Sequence, residues 1–222
     1  MSHVPILANY MHTFASNAAI GGPLKRAIDV FLSSIAIVVL APFFLLAAML
    51  LAFSDGGPII YKHQRIGHGG RQFPCFKFRT MIVDSQKLLD DLLGRDHTAR
   101  AEWEKNRKLA NDPRITRVGQ FLRRSSLDEL PQLINVLRGE MSLVGPRPIV
   151  VSELALYGDQ LESYLSARPG ITGIWQVSGR SDCSYDERVK LDVHYVNNWK
   201  VSTDLFILFN TVTVVFAQGG SY

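Results

Sequence analysis

Cysteine is scarce in this chain: Cys75 and Cys183 are the only two in 222 residues, and neither stands in a CxxC pair. A disulfide framework is thereby excluded, and two free thiols suit a reducing compartment. The six histidines show no HExxH or comparable ligand spacing, which removes the usual zinc sites. Neither a GxxxxGK[ST] loop nor a GxGxxG fingerprint occurs, so P-loop and dinucleotide-binding chemistry go as well. No Asp-x-Asp pair is present to carry a metal diphosphate in the way many nucleotide-sugar transferases do. The basic excess is mild, a formal net charge of +4, and no basic run is interleaved with stacking aromatics. That argues against nucleic acid and fits an anionic substrate or an anionic membrane surface.

What the chain does have is one long apolar run. Residues Met1 to Gly22 are small, polar and aperiodic, a loose lead-in. From Val30 to Phe53 no formal charge occurs, which is the length of a membrane span. Pro42 stands in the middle, where it removes a backbone donor and should break or kink the helix. Each half is then roughly 18 Å long, little more than half of a ~30 Å hydrocarbon core. A helix dipping in and returning, a bent helix that crosses, and a buried core helix all remain open. Lys25 and Arg26 before the run and Lys62, Arg65 and Arg71 after it give no inside–outside asymmetry.

Beyond Phe53, "SDGGP" ends the run, and "IIYKHQRIG" and "QFPCFKFRTM" form two strands joined by a "HGGR" turn. Alternation puts Phe76 and Phe78 on one face and Lys77 and Arg79 on the other. The two cations either meet phosphate or line a solvated face. The charged stretch from Asp84 to Leu109 is a solvated amphipathic helix pair broken at Gly94. "MSLVGPRP" and "ARPGITGIWQVSGR" are ordered loops, each with an arginine in a tight place. The apolar tail from Leu205 is too short to span, so it caps the core or lies along an interface. The fold class expected is α+β, with residues 1–22 as the lead-in, 23–55 as the apolar helix and 56–222 as the main domain.

The stretch "RRSSLDELPQLINVL" admits two readings. Ser126 followed by Glu129 fits a capping box, with Leu127, Leu130, Leu133, Ile134 and Leu137 as a buried stripe ending at Gly139. On that reading Asp128 and Glu129 merely stabilise a first turn. Yet Pro131 makes the start irregular, and Asp128, Gln132 and Asn135 share a side away from the leucines. A carboxylate pair there can hold a divalent cation against phosphate. The pattern by itself leaves both open.

"KRAIDV", the proline-centred apolar helix, "KFRTM", "SLDELPQLINVLRGEMSLVGPRP" and "RPGITGIWQVSGR" occur in that order. Together they resemble the monotopic phosphoglycosyl transferases of bacteria, the polyprenyl-phosphate hexose-1-phosphate transferases that initiate exopolysaccharides. The resemblance runs from about Lys25 to the C-terminus and implies transfer of a sugar-1-phosphate, galactose or glucose foremost, from a UDP-sugar to undecaprenyl phosphate. UMP would be released, with Mg2+ required. It implies Asp128 as nucleophile of a phosphosugar-enzyme intermediate and Glu129, with Asp128, at the metal. Arg147, Arg168 and Arg180 become phosphate-binding candidates, joined by Lys77, Arg79 and one of Arg123 and Arg124. The membrane helix becomes re-entrant at Pro42, although Ala41 replaces the serine that precedes the proline in well-studied relatives. Amphipathic interfacial helices and a cytoplasmic-face location at the inner membrane follow from the same resemblance. A homo-oligomer is compatible with it. Direct transfer with Asp128 as a base or metal ligand, or a silent membrane-anchored assembly partner, are the rivals.

Overall fold

The computed structural model describes residues 18–54, 56–106, 109–178 and 184–217. Most of the expected lead-in, with Arg180 and Cys183, lies outside them. The first element, α1 (Gly22–Ala52), is 31 residues long, roughly 46 Å at helical rise. Among the described residues it is the one helix long and apolar enough to cross a membrane.

Pro42 does not end it: of the break or kink expected there, the break does not occur, and α1 is continuous through the proline. The two ends of the helix explain why. Near its start Lys25, Asp29 and Ser33 are buried, and near its finish Ala47 and Leu51 are buried with Phe78 and Leu122. Packing at both ends outweighs the single hydrogen bond that a proline removes. The opposite side of the helix is bare, with Val38 74% and Leu45 68% exposed.

The hairpin expected from alternation is present. Strands β1 (Ile60–Ile66) and β2 (Gln72–Phe78) pair antiparallel, with Tyr61 opposite Lys77 and His63 opposite Cys75. Directly opposed residues share a face, so His63, Cys75 and Lys77 stand together. Helices α2 (Ser85–Arg95) and α3 (His97–Asn106) follow. They divide at Asp96 rather than Gly94, because the Asp96 carboxylate accepts from the backbone N–H of Thr98 and Ala99 and starts the second helix.

Helix α4 (Arg117–Arg124) begins on a Thr116 cap, and α5 (Gln132–Arg138) closes on Gly139, whose φ of 80° suits glycine. The leucine stripe expected on α5 is only half right. Leu133 and Val136 are buried, whereas Ile134 and Leu137 are exposed at 39% and 37%. Asn135 is fully buried instead: it accepts from Phe76 N–H and donates to Pro74 O and Glu140. The polar side of α5 therefore faces the hairpin. Arg26 of α1 donates to the carbonyls of Val136 and Leu137, satisfying the helix end.

Two short strands, β3 (Ser142–Val144) and β4 (Gly170–Thr172), pair in parallel and cross the two Gly/Pro-rich loops. Between them come α6 (Leu154–Tyr157) and α7 (Leu161–Leu165). After them come α8 (Ile174–Ser178), α9 (Tyr185–Asn197) and α10 (Val201–Ala217). The tail is both things its apolarity allowed. Asp204 and Ile207 of α10 are buried, while Leu205, Phe206, Phe209 and Val212 are exposed. The architecture is α+β, two small sheets among helices.

Candidate active site

Ser126 holds φ at 56°, the one non-glycine positive φ among the described residues. Its side chain makes no cap, so the capping box between Ser126 and Glu129, one of the two readings open for this stretch, is not formed. The chain instead turns through a short 3-10 segment, Leu127–Glu129, before α5 begins beyond Pro131. A left-handed serine with no capping bond is local strain, of the kind that accumulates where side chains must be aimed.

What the turn aims is the carboxylate pair. Glu129 receives Lys77 Nζ at 2.6 Å, so β2 and the turn are joined by an ion pair. Burial alone would depress the Lys77 ammonium, but the charges of Glu129 and Asp128 outweigh it and hold its pKa above the usual lysine value. Burial likewise raises Glu129, and Lys77, with Arg147 and Arg65, more than reverses this, so Glu129 stays below its ordinary value and ionised. Asp128 is different. It is buried, its Oδ1 has no hydrogen-bond partner, and burial with the Glu129 charge pushes its pKa up to about 6. A buried carboxylate with one oxygen unpartnered, still mostly charged at pH 7, is a candidate for reaction as well as for structure.

The sequence-predicted cations separate in space. Arg123 Nε donates to Thr80 Oγ1, and its charge acts on Asp128. Arg124 is exposed on the far side of the same turn of α4. Arg147 acts electrostatically on both Glu129 and Lys77. Its loop is fixed by Tyr164, whose hydroxyl donates to Arg147 O, and by buried Asp192, which accepts from Arg147 N–H and from Tyr157. Arg168 is drawn elsewhere: its Nε donates to Gly139 O, behind α5, where it braces a loop. Arg79 lies buried against Gly57, beyond the end of β2. The structure adds His63 and Arg65, missed from the sequence. Arg65 contacts His63 Nδ1 and the Pro148 carbonyl, and its charge also reaches Glu129. The period-two alternation that singled out Lys77 was the signal for both. Cys75 shares that face, but burial pushes its thiol up to about 11, which keeps it inert.

A family model described as bacterial sugar transferase matches residues 20–218. The chain belongs to that family. This sugar transferase is 52% identical over 203 residues to the exopolysaccharide production protein ExoY of Sinorhizobium fredii, covering 91% of this chain and 90% of the relative. It is 55% identical over 199 residues to an undecaprenyl-phosphate galactose phosphotransferase of Salmonella typhimurium, of whose length it spans only 42%. To a UDP-glucose:undecaprenyl-phosphate glucose-1-phosphate transferase of Escherichia coli it is 36% identical over 208 residues, spanning 41% of that protein.

The arginine loop of this sugar transferase depends on a close backbone crossing. Gly145 N–H donates to Thr172 O, and Gly170 N–H to Pro146 O. A Cβ at Gly145 would stand 2.4 Å from Arg168 O, and one at Gly170 would stand 2.1 Å from Gly145 N. Gly145→Ala is expected to force β3 and β4 apart and shift Arg147 two residues on. A loss of about 1–3 kcal/mol in stability, as for other overpacking, should come with a higher donor KM. Thermal unfolding and donor titration measure the two effects, and unchanged values for both would show the crossing to be slack.

Proposed function

We propose that this sugar transferase moves a sugar-1-phosphate, that of galactose or glucose, from a UDP-sugar to undecaprenyl phosphate and releases UMP. The observation that carries the proposal is the Asp128 carboxylate, buried and unpartnered at Oδ1 beside the Lys77–Glu129 pair. The names of the relatives support the substrates: galactose phosphotransferase acting with undecaprenyl phosphate in one, glucose-1-phosphate transfer from UDP-glucose in another.

An Asp128 oxygen attacks the phosphorus that bears the sugar, and the bond from that phosphorus to the bridging oxygen breaks. The electron pair leaves on UMP, and the sugar phosphate is held as an acyl phosphate on Asp128. An oxygen of the lipid phosphate then attacks the same phosphorus, and the carboxylate is freed. Neither step needs a proton removed from the nucleophile, since a carboxylate is ionised near neutral pH. Lys77, Arg147 and Arg123 lower the repulsion between a carboxylate and an anionic diphosphate.

Mg2+ fits the donor set as a substrate-borne ion. No group of three or more potential ligands stands together among the described residues, but Mg2+ is commonly held by one or two carboxylates plus substrate phosphates. Unpartnered Asp128 Oδ1 and Glu129 are those carboxylates. When bound, the ion neutralises charge on the diphosphate and on the departing UMP.

Membrane placement follows from the bare side of α1. Phe121 of α4, Ile134 and Leu137 of α5, and Leu205, Phe206 and Phe209 of α10 are exposed as well. Exposed apolar residues in such number suit lipid rather than water. Both ends of α1 bear on the same catalytic body, which supports a helix embedded from one face over a crossing; we place that face on the cytoplasmic side. The proposal is tested by supplying purified protein with a panel of UDP-sugars and Mg2+, with and without undecaprenyl phosphate. UMP release and a hexose-phosphate mass adduct in the absence of acceptor are expected. Turnover that strictly needs acceptor and leaves no adduct supports direct transfer instead, and no turnover with any donor overturns the reading.

A further inference from the structure

Arg147 and Arg188 share one aromatic ring. Their guanidinium carbons lie 5.6 Å and 4.7 Å from the ring centroid of Trp175. Trp175 is 5% exposed, yet its indole N–H has no partner, and the buried Nε of Arg188 has none either. Among the described residues neither guanidinium is ion-paired to a carboxylate. Two cations held within about a Debye length of each other repel unless an anion lies between them. Stacking on the indole offsets only part of that, because a cation–π contact is worth on the order of 0.5–2 kcal/mol. The protein therefore holds two buried, unpartnered N–H donors and two guanidiniums without a direct ion pair around one indole ring.

Arg147 connects this point to the chemistry, since its charge also acts on Glu129 and Lys77. The two phosphates of a diphosphate would then divide between the two places, one at Asp128 and the next at the arginines. The side of the molecule is informative too. The exposed residues of α9 around Arg188 are polar, among them Asp186, Glu187, Lys190 and His194, with Leu156 of α6 the exposed apolar neighbour, whereas most exposed large apolar residues belong to α1, α4, α5 and α10. A water-borne nucleotide approaches from the α9 side, and a lipid phosphate from the apolar side.

Resting on the function proposed above, we infer that Arg188 and Trp175, together with Arg147, form the subsite for the phosphate of the nucleotide half of the donor, and so for the leaving UMP. The planar guanidinium fork suits phosphate oxygens, and the indole N–H supplies a further donor. Arg188 is then a substrate-binding residue that the donor half-reaction needs and the acceptor half-reaction does not.

The test measures UMP affinity by calorimetry on the full chain in lipid discs with Mg2+, and measures the two half-reactions separately. Arg188→Gln is expected to weaken UMP and raise donor KM at least tenfold. The rate at which preformed adduct passes to undecaprenyl phosphate, and the acceptor KM, should change less than twofold. Arg188→Lys, which keeps charge without the fork, should fall between. Uridine without phosphate should bind equally to all three proteins. Unchanged UMP affinity in Arg188→Gln overturns the assignment, as does a rise confined to acceptor KM, which would give the subsite to the lipid. A wild-type measurement covers the case of misfolded variants: the Trp175 indole N–H resonance should shift on adding UMP and not on adding uridine, and no shift overturns the assignment. Wild-type protein that releases no UMP from any donor would instead sink the function itself.

Discussion

Asp128→Asn is expected to abolish sugar-phosphate transfer, with turnover reduced at least a thousandfold, or about 4 kcal/mol of lost barrier lowering. The substitution keeps the shape of the side chain and its place in the 3-10 turn. What it removes is the charge, and with it the oxygen that would bond to phosphorus. UDP-sugar should still bind, because Lys77, Arg147 and Arg123 remain, so UMP affinity should hold within a few-fold while the hexose-phosphate adduct disappears. A pH profile of the wild-type donor half-reaction checks the same group independently. Burial and the Glu129 charge set Asp128 at about 6, so the reactive carboxylate is present above that pH and lost as pH falls through it. A bound cation favours the charged form, so the acid limb of kcat/KM should lie at or below pH 6. Adduct formation by the Asn protein would show that another oxygen is the nucleophile. Turnover retained with no adduct in either protein would return Asp128 to the role of base or metal ligand.

Lys25→Met is the substitution expected to cost the most stability, about 3–5 kcal/mol. Lys25 Nζ lies 2.5 Å from Asp204 Oδ2, with side chains 4% and 11% exposed, and it joins the first turn of α1 to α10 across 179 positions. Asp204 also accepts from Tyr195 Oη at 2.6 Å and Trp199 Nε1 at 3.0 Å. Those two neutral donors cannot replace a cation beside a buried carboxylate. Without Lys25 the start of the membrane helix keeps only Arg26 on α5 and Asp29 on Ser142 and Leu143. Unfolding in detergent should shift markedly, and proteolysis near residue 25 should quicken. The paired substitution Lys25→Met with Asp204→Asn should recover part of the loss, because the Asp204 carboxylate is no longer left unpaired, and only part, because buried Asp29 also faces Lys25. A double variant no more stable than the single one would mean that packing, not charge, holds this junction.

Much of the fold was legible in the chain because it is locally written. The 24 uncharged residues from Val30 to Phe53 can only be a buried or membrane helix. Alternation around "HGGR" gives a hairpin, and glycine at 139 gives a helix end. Local rules also misled where a distant contact outbid them. Pro42 was expected to break or kink a helix that stays continuous between its two docked ends, and one of the two readings of Ser126 had it cap a turn that it strains instead. On α5 the leucine pattern could not tell a core face from an exposed apolar face, because both are apolar. Ile134 and Leu137 accordingly point out and Asn135 points in.

The sequence by itself determined that an adjacent carboxylate pair follows two arginines at an irregular turn, that an apolar helix precedes it, and that arginine-bearing loops come after it. Those features depend on neighbours within a few positions. Only the tertiary structure decided which cations meet the pair. Lys77 reaches Glu129 across 52 positions, while Arg168 turns to Gly139 and Arg79 to Gly57. It likewise decided that Arg188 shares a ring with Arg147. Charge acts through space over a few ångströms, and the distance between two side chains is fixed by how their elements pack, which no local pattern contains.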